Sequence, residues 1–191
     1  RQGDVFLMKV EKLPAGAVDE QQIEGERIVL ARGEATGHVH AIRESAARLY
    51  AVKVLDAAGN GNLSDVIKGI IWCAENGIQV ANMSLGSPQV SPALQQAIMY
   101  AKARGVIIVA AAGNSGGAVS YPAAYPETIA VAASDWKDAL APFSSRGPQV
   151  RFIAPGMDVV STMMGGDYTS FSGTSMAAPH VTGLVALAIS L

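Results

Sequence analysis

From about residue 48 onward, the chain alternates short apolar runs of strand length with longer runs of helical periodicity. The run from Val106 to Ala112 is continuously apolar, which is typical of a strand buried on both faces of a sheet. Short loops join the two kinds of run, and strands that alternate with helices in this way form parallel sheets. We therefore predict an α/β fold with a central, mostly parallel sheet.

Individual elements of this α/β region follow from apolar periodicity and end residues. Ser64 and Asp65 are predicted to cap a helix that ends at Glu75, and Ser91-Pro92 to begin a second helix that ends near Arg104. A third, Ala-rich helix is predicted over 175–191. The predicted strands cover 49–55, 80–84, 106–112, 129–133 and 151–154.

Residues 1–42 differ from the rest of the chain. Two strand candidates, 5–10 and 27–31, are separated by turn-forming and acidic residues. The chain is therefore predicted to have two parts, a β-rich segment over 1–42 and an α/β domain over 43–191.

Composition excludes several classes of protein. Hydrophobic residues make up 50% of the chain and charged residues 16%, which excludes disorder and a coiled coil. The net charge is −2 with no basic patch, so neither nucleic acid nor a membrane is an expected partner. No apolar run has membrane-spanning length, and the first residues have no signal-peptide pattern. The single cysteine, Cys73, excludes an internal disulfide and a cysteine-based zinc site.

Small polar residues follow the predicted strands, where the chemistry of an α/β sheet is expected. The loops in question are Ser84–Gly86, Gly113–Ser115 and Gly173–Met176. Ser175 opens a helix and therefore lies in the positive field of its amino end. Asn114 leaves a buried strand and can donate a side-chain amide. A serine and an amide in one cleft indicate acyl transfer, with a nucleophile and an oxyanion donor, although each loop alone is typical of ordinary turns.

Four blocks in this order resemble those of subtilisin-like serine proteases, the subtilases. They are Leu49–Leu55, Asn82–Gly86, Val109–Asn114 and Ser172–Val181. The resemblance covers about three-quarters of the chain. It implies a three-layer subtilisin-like fold, serine endopeptidase activity on polypeptide substrates, no required cofactor and an extracellular location.

The resemblance also assigns roles to individual residues. Ser175 matches the nucleophile and Asn114 the amide of the oxyanion hole. Ser84, Leu85 and Gly86 match the strand edge that pairs with the substrate backbone. Ala111, Ala112, Gly113 and Ser120 match the pocket for the side chain before the scissile bond. No charged residue occurs among them, and such an open, mostly apolar pocket implies broad specificity with some preference for large apolar side chains.

A weak cation site is implied in the same way. The carbonyls of Ala123, Tyr125 and Thr128 match its ligands. In some members, acidic residues favour calcium at this site, and Gln149 and Arg151 stand at the corresponding positions here. We therefore expect either a weak site for a monovalent cation or calcium, or no site at all.

Two family blocks are not matched. No Asp-Ser/Thr-Gly strand end is present, and neither Asp4 nor Asp19 has its setting. His38 can be aligned with the family's general base, but its flanking residues do not fit. His40 fits less well, and the pair could also be an exposed loop feature or a weak metal site. His180 matches a structural position of the family.

The N-terminal part of the family fold is therefore expected to be truncated or replaced by the β-rich segment. Residues 1–42 faintly resemble short uncharacterised bacterial proteins, so the chain could be a chimera. An exposed sheet edge would favour self-association. Two functions stay open: a serine endopeptidase impaired by an incomplete triad, and an inactive subtilase-derived peptide-binding or scaffold fragment.

Overall fold

The computed structural model describes residues 5–8, 23–24, 27–32, 39–43, 48–56, 59–162 and 168–190, with side chains from Leu49 onward. Its main element is a six-stranded sheet. Across the sheet the strands are β5 (Arg48–Ala51), β1 (Val5–Met8), β6 (Val80–Met83), β7 (Ile107–Ala111), β8 (Ile129–Ser134) and β9 (Val150–Pro155). Strands β6 to β9 are parallel, which confirms the predicted mostly parallel sheet.

Strand β1 lies between β5 and β6 and is antiparallel to both. Its first residue, Val5, pairs with Ala51, the last residue of β5. The predicted strand over 49–55 is therefore too long, because β1 provides no partner beyond Ala51.

The described residues also form two smaller sheets. Strands β2 (Ile23–Glu24), β3 (Arg27–Arg32) and β4 (Val39–Arg43) form an antiparallel sheet, and β3 corresponds to the predicted strand over 27–31. Strands β10 (Val159–Thr162) and β11 (Tyr168–Phe171) pair as an antiparallel ribbon that leads into the third helix. The sequence analysis did not predict this ribbon.

In the described part of the chain, three helices cover the sheet: α1 (Leu63–Glu75), α2 (Pro92–Ala103) and α3 (Thr174–Ile189). Ser91 caps α2 as predicted, because its hydroxyl accepts the N–H of Leu94 at 3.3 Å.

The predicted cap of α1 is wrong. The helix begins at Leu63 after Asn62, so Ser64 and Asp65 lie inside its first turn. The Asp65 carboxylate accepts a bond from Lys68 Nζ at 3.1 Å and a longer one from Nδ2 of the N-cap residue Asn62 at 3.5 Å.

Opposite faces of the sheet pack against different helices. Ala81, Met83 and Ile108 pack with α1 and α2, whereas Val80, Val109 and further side chains of the opposite face pack with α3. Alternate residues of a strand point to opposite faces, so this division produces three layers. The predicted three-layer arrangement is confirmed, and α3 holds its first turn against the carboxyl ends of β6 and β7.

Candidate active site

The candidate site lies where the carboxyl ends of β6 and β7 meet the amino end of α3. Ser84 follows β6, Asn114 follows β7, and Ser175 lies in the first turn of α3. Parallel neighbours end at one edge of a sheet, so the first two loops are adjacent. Hydrogen bonds from both loops to α3 complete the arrangement.

Ser175 is half-buried, and its hydroxyl donates to the carbonyl oxygen of Ser84 at 3.3 Å. Gly173, which precedes the helix, has no side chain to cap it. Within the described part of the chain, the backbone N–H of Ser175 makes no hydrogen bond. The nucleophile candidate therefore lies at the electropositive amino end of α3, where its own backbone N–H is available to a ligand.

Asn114 has a single orientation set by Thr174. Its Oδ1 accepts the Thr174 backbone N–H at 2.8 Å and the Thr174 hydroxyl at 2.9 Å. Thr174 is fully buried, and its hydroxyl oxygen also accepts the Gly113 N–H at 3.1 Å. With Oδ1 held by two donors, the Nδ2 of Asn114 is left to donate elsewhere.

The Nδ2 of Asn114 and the N–H of Ser175 border the same small space. A Cβ atom built on Gly173 would lie 3.4 Å from Asn114 Nδ2 and 3.7 Å from the Ser175 nitrogen. Glycine leaves this position open. Two donors beside one open volume, next to a serine hydroxyl, match the geometry needed to hold an oxyanion.

The predicted substrate-binding residues also come together. The Ser120 hydroxyl donates to the Ala112 carbonyl at 3.0 Å. A Cβ on Gly86 would lie 2.9 Å from Ser120 Oγ, and one on Gly113 would lie 2.7 Å from it. Ser120 therefore forms the floor of the pocket between the loops that follow β6 and β7. A side chain at Gly86 or at Gly113 would collide with its hydroxyl.

The edge residues Leu85 and Gly86 have backbone groups that make no hydrogen bond with any other described residue. Immediately after them, Ser87 and Tyr121 exchange two backbone bonds of 2.8 Å. The chain is thus held in an extended form beyond the edge, and the free N–H and C=O groups before it can pair with another extended chain.

No described residue supplies a general base to Ser175. His180 is the histidine whose side chain the structure describes, and its Nδ1 lies 2.8 Å from the Met176 carbonyl on its own helix. His38, the predicted base, lies outside the described residues, as do Asp4 and Asp19. The side chain of His40 is likewise not described.

Two of the three predicted cation ligands, the carbonyls of Ala123 and Tyr125, lie beside the hydroxyl of Thr128 together with the carbonyl of Pro122. Thr128 Oγ1 lies 3.0, 3.2 and 2.9 Å from the carbonyl oxygens of Pro122, Ala123 and Tyr125. Carbonyl oxygens are ligands that hard cations accept, but the set includes no carboxylate. Among the residues that the structure describes, no group of three or more His, Cys, Asp or Glu side chains is arranged for a metal ion.

Sequence reasoning missed three residues of this region: Thr174, Asn82 and Thr182. Asn82 and Thr182 are both 2% exposed and bond to each other at 3.0 Å. The sequence did contain an indication of this pair. Asn82 is a polar residue in an apolar strand and Thr182 a polar residue in an apolar helix, and a buried polar group needs a hydrogen-bond partner.

Among the described residues, no helix combines the length and apolar character that crossing a bilayer requires.

Comparisons with known proteins place the chain. The model of the Subtilase family matches residues 28–191. Subtilisin Savinase from Lederbergia lenta is 51% identical over 142 residues, which cover 74% of this chain and 53% of that protein. M-protease from Shouchella clausii (strain KSM-K16) is 51% identical over 142 residues, covering 74% and 37%.

A structural neighbour supports the same placement. The crystal structure of a cold-adapted subtilisin-like serine proteinase aligns with a TM-score of 0.69 and 41% identity, covering 72% of this chain and 51% of that one. The chain spans about half the length, or less, of these relatives. The boundary between residues 42 and 43 stays a prediction. On the family match and the shared fold, the chain belongs to the subtilase family of subtilisin-like serine proteases.

Proposed function

We propose that this chain carries the nucleophile and the oxyanion donors of a serine endopeptidase that acts through an acyl-enzyme on Ser175. The observation that supports the proposal most directly is the orientation of Asn114. Two bonds from Thr174 hold its Oδ1, so its Nδ2 faces the space beside the Ser175 N–H.

In this reaction, Ser175 Oγ attacks the carbonyl carbon of a peptide bond and gives its proton to a base. The carbonyl oxygen becomes an oxyanion, which accepts bonds from Asn114 Nδ2 and the Ser175 N–H. Collapse of the tetrahedral species breaks the C–N bond, and the protonated base returns its proton to the leaving amine. Water then attacks the Ser175 ester while the base takes its proton, and collapse of the second tetrahedral species releases the acid and returns that proton from the base to Ser175 Oγ. No metal ion is needed for these steps, and subtilisins as a family need no cofactor, although some bind calcium.

The general base is proposed to be His38, in keeping with its alignment to the family's histidine block. No orienting acid is assigned, because neither Asp4 nor Asp19 matches an Asp-Ser/Thr-Gly strand end. Loss of triad members leaves only about 10³–10⁴-fold catalysis over water, which comes from the oxyanion hole and binding. We therefore expect impaired activity relative to a complete triad.

The substrate is proposed to be an extended polypeptide. Its backbone would pair with the free groups of Leu85 and Gly86, and one side chain would enter the pocket floored by Ser120. The pocket residues Ala111, Ala112 and Gly113 carry no charge, which favours apolar side chains over charged ones.

A second candidate function is peptide binding without turnover. The supporting observation is the partner of Ser175 Oγ, which is the Ser84 carbonyl and not an imidazole among the described residues. In that case the edge and the pocket would bind a peptide, and Ser175 would remain an ordinary alcohol.

Labelling by a fluorophosphonate probe distinguishes the two functions, with Ser175→Ala as the control. Rapid labelling that is lost in the control supports the endopeptidase, and activity against casein and apolar peptide substrates then tests turnover. A folded chain that the probe does not label would refute the endopeptidase proposal. Titration of that chain with the same apolar peptides, followed by fluorescence anisotropy, would then test peptide binding.

A further inference from the structure

A row of hydrogen bonds runs from the middle of α3 through β6 and back to Ser175. Thr182 Oγ1 donates to Asn82 Oδ1 at 3.0 Å, and Asn82 Nδ2 donates to Ser84 Oγ at 2.9 Å. Ser84 Oγ in turn donates to the Ser175 carbonyl at 2.9 Å. We propose that Asn82 and Thr182 are positioning residues for Ser175, acting through Ser84. The role they would have in catalysis rests on the proposed function.

The Ser175 carbonyl has a particular need for this bond. In an α-helix, the carbonyl of one residue accepts the N–H of the residue four positions later, which here is Pro179. Proline has no N–H, so the carbonyl of Ser175 loses its usual donor inside the helix. The Ser84 hydroxyl supplies a donor from a different element of the fold.

The direction of each bond depends on the one before it. Asn82 Nδ2 occupies a lone pair of Ser84 Oγ, which leaves the Ser84 proton to donate to Ser175. If the Asn82 amide were rotated by 180°, its Oδ1 would face Ser84 and draw that proton away. In the observed orientation Asn82 Oδ1 is an acceptor for the Thr182 hydroxyl, whereas after the rotation that proton would have only the Ala178 carbonyl and the Ser175 carbonyl would lose its Ser84 donor.

Burial makes this arrangement specific. Asn82 and Thr182 are each 2% exposed, so water does not replace a missing bond. The one Thr182 hydroxyl proton is shared between Asn82 Oδ1 and the Ala178 carbonyl, each 3.0 Å from Oγ1. A buried amide that uses both its oxygen and its nitrogen can hold Ser84 firmly, and Ser84 bonds to Ser175 through both its hydroxyl and its carbonyl.

One spectroscopic test reads the Ser175 carbonyl directly and needs no catalysis. Ser175-Met176 is the one Ser-Met pair in the sequence, so serine labelled with ¹³C at the carbonyl and methionine labelled with ¹⁵N give a single NMR correlation in the full chain. We expect Ser84→Ala and Thr182→Val to move this carbonyl resonance upfield, because a hydrogen bond to the oxygen is lost or weakened. Thr182→Ser keeps the hydroxyl and is expected to leave the resonance in place.

A matched control removes a buried hydroxyl elsewhere. Ser144 is 0% exposed, and its hydroxyl bonds to the Ala133 N–H and the Ser145 carbonyl, not to Ser175. Ser144→Ala is expected to lower stability but to leave the Ser175 carbonyl resonance unchanged. An unmoved resonance in Thr182→Val, or an equal movement in Ser144→Ala, would overturn the positioning role.

Probe labelling adds the kinetic readout. Misplacement of a reacting group by about 1 Å can cost up to about 100-fold in rate, so we expect labelling of Thr182→Val to be about 10-fold slower than wild type. Thr182→Ser should restore the rate. If wild type is not labelled but the carbonyl resonance responds, the proposed function fails and the positioning of Ser175 stands. If wild type is labelled and Thr182→Val reacts equally fast, this inference fails alone.

A double variant tests the role of Pro179. Ser84→Ala combined with Pro179→Ala returns an N–H to the position that normally serves the Ser175 carbonyl. The carbonyl resonance should then move back toward the wild-type position, and labelling should recover part of the rate lost in Ser84→Ala. No recovery of the resonance would show that the missing helical donor is not what Ser84 replaces.

Discussion

Two buried threonines of this chain use their hydroxyl groups in opposite ways. Thr174 is fully buried and bonds to the side chain of Asn114 and the N–H of Gly113. Thr128 is 5% exposed, and its hydroxyl lies within 3.2 Å of three backbone carbonyls. The first orients another side chain, whereas the second ties together the turns of its own loop.

The difference separates a functional polar cluster from a structural one. Around Thr174, the bonds hold one end of an amide and leave its other end facing open space beside Ser175. Around Thr128, the three hydroxyl contacts are all with backbone carbonyls of the preceding residues, which share one hydroxyl proton. Burial alone does not distinguish the two clusters, but the direction of the unused donor does.

The largest expected effect concerns Asn114. Asn114→Ala removes the Nδ2 donor, and loss of one oxyanion donor costs about 10²–10³ in rate. We expect probe labelling at Ser175 to slow by about that factor, as measured by the labelling rate constant. Asn60→Ala removes an exposed loop amide and serves as the control, with an unchanged rate. Equal rates for the two variants would mean that Asn114 does not face the reacting group.

A smaller effect is expected from filling the space beside Gly173. The backbone of Gly173 is extended, and a methyl group there would contact Asn114 Nδ2 at an ordinary distance of 3.4 Å. Gly173→Ala should therefore fold normally but slow labelling by about 10-fold or more, because the methyl group occupies the place of the oxyanion.

Gly117→Ala is the matched control for that variant. A Cβ on Gly117 also meets a polar atom at 3.4 Å, Ser115 Oγ, but on an exposed loop. Thermal unfolding should show similar midpoints for both variants, and only Gly173→Ala should slow labelling. Wild-type labelling of Gly173→Ala would show that the space does not receive the oxyanion.

The smallest effects come from exchanging the two threonines for valine. Thr174→Val removes a donor to Asn114 Oδ1, and a net loss of about 1 kcal/mol in its orientation slows labelling about 5-fold. Thr128→Val leaves three carbonyls without their shared donor and should lower the free energy of unfolding by about 1–3 kcal/mol.

Urea unfolding and labelling, measured on both valine variants, separate these outcomes. The labelling rate of Thr174→Val is first corrected for the folded fraction. If that corrected rate equals the wild-type rate and only stability changes, Thr174 does not orient Asn114, and the two threonines do not differ in function.

Much of the fold could be predicted because its elements are locally encoded. The continuous apolar run ending at Ala112 became β7, and Ser91 caps α2 through its own hydroxyl. The antiparallel placement of β1 between β5 and β6 could not be predicted, because it depends on pairings between residues far apart in the chain. The predicted α1 cap was wrong because Asn62, Ser64 and Asp65 are all residue types that favour a cap, and the helix begins after the first of them.

By itself, the sequence determined the family, the order of the main-sheet strands and helices over the α/β region apart from the β10–β11 ribbon, and the candidates Ser175 and Asn114. Their local motifs suffice, because a glycine-bounded serine at a helix start and an asparagine after a buried strand are recognisable within a few residues. Only the tertiary structure decided which way the Asn114 amide points and that Thr182, Asn82 and Ser84 reach Ser175. An amide or hydroxyl has no preferred direction of its own, so its orientation is set by the partners that folding brings beside it.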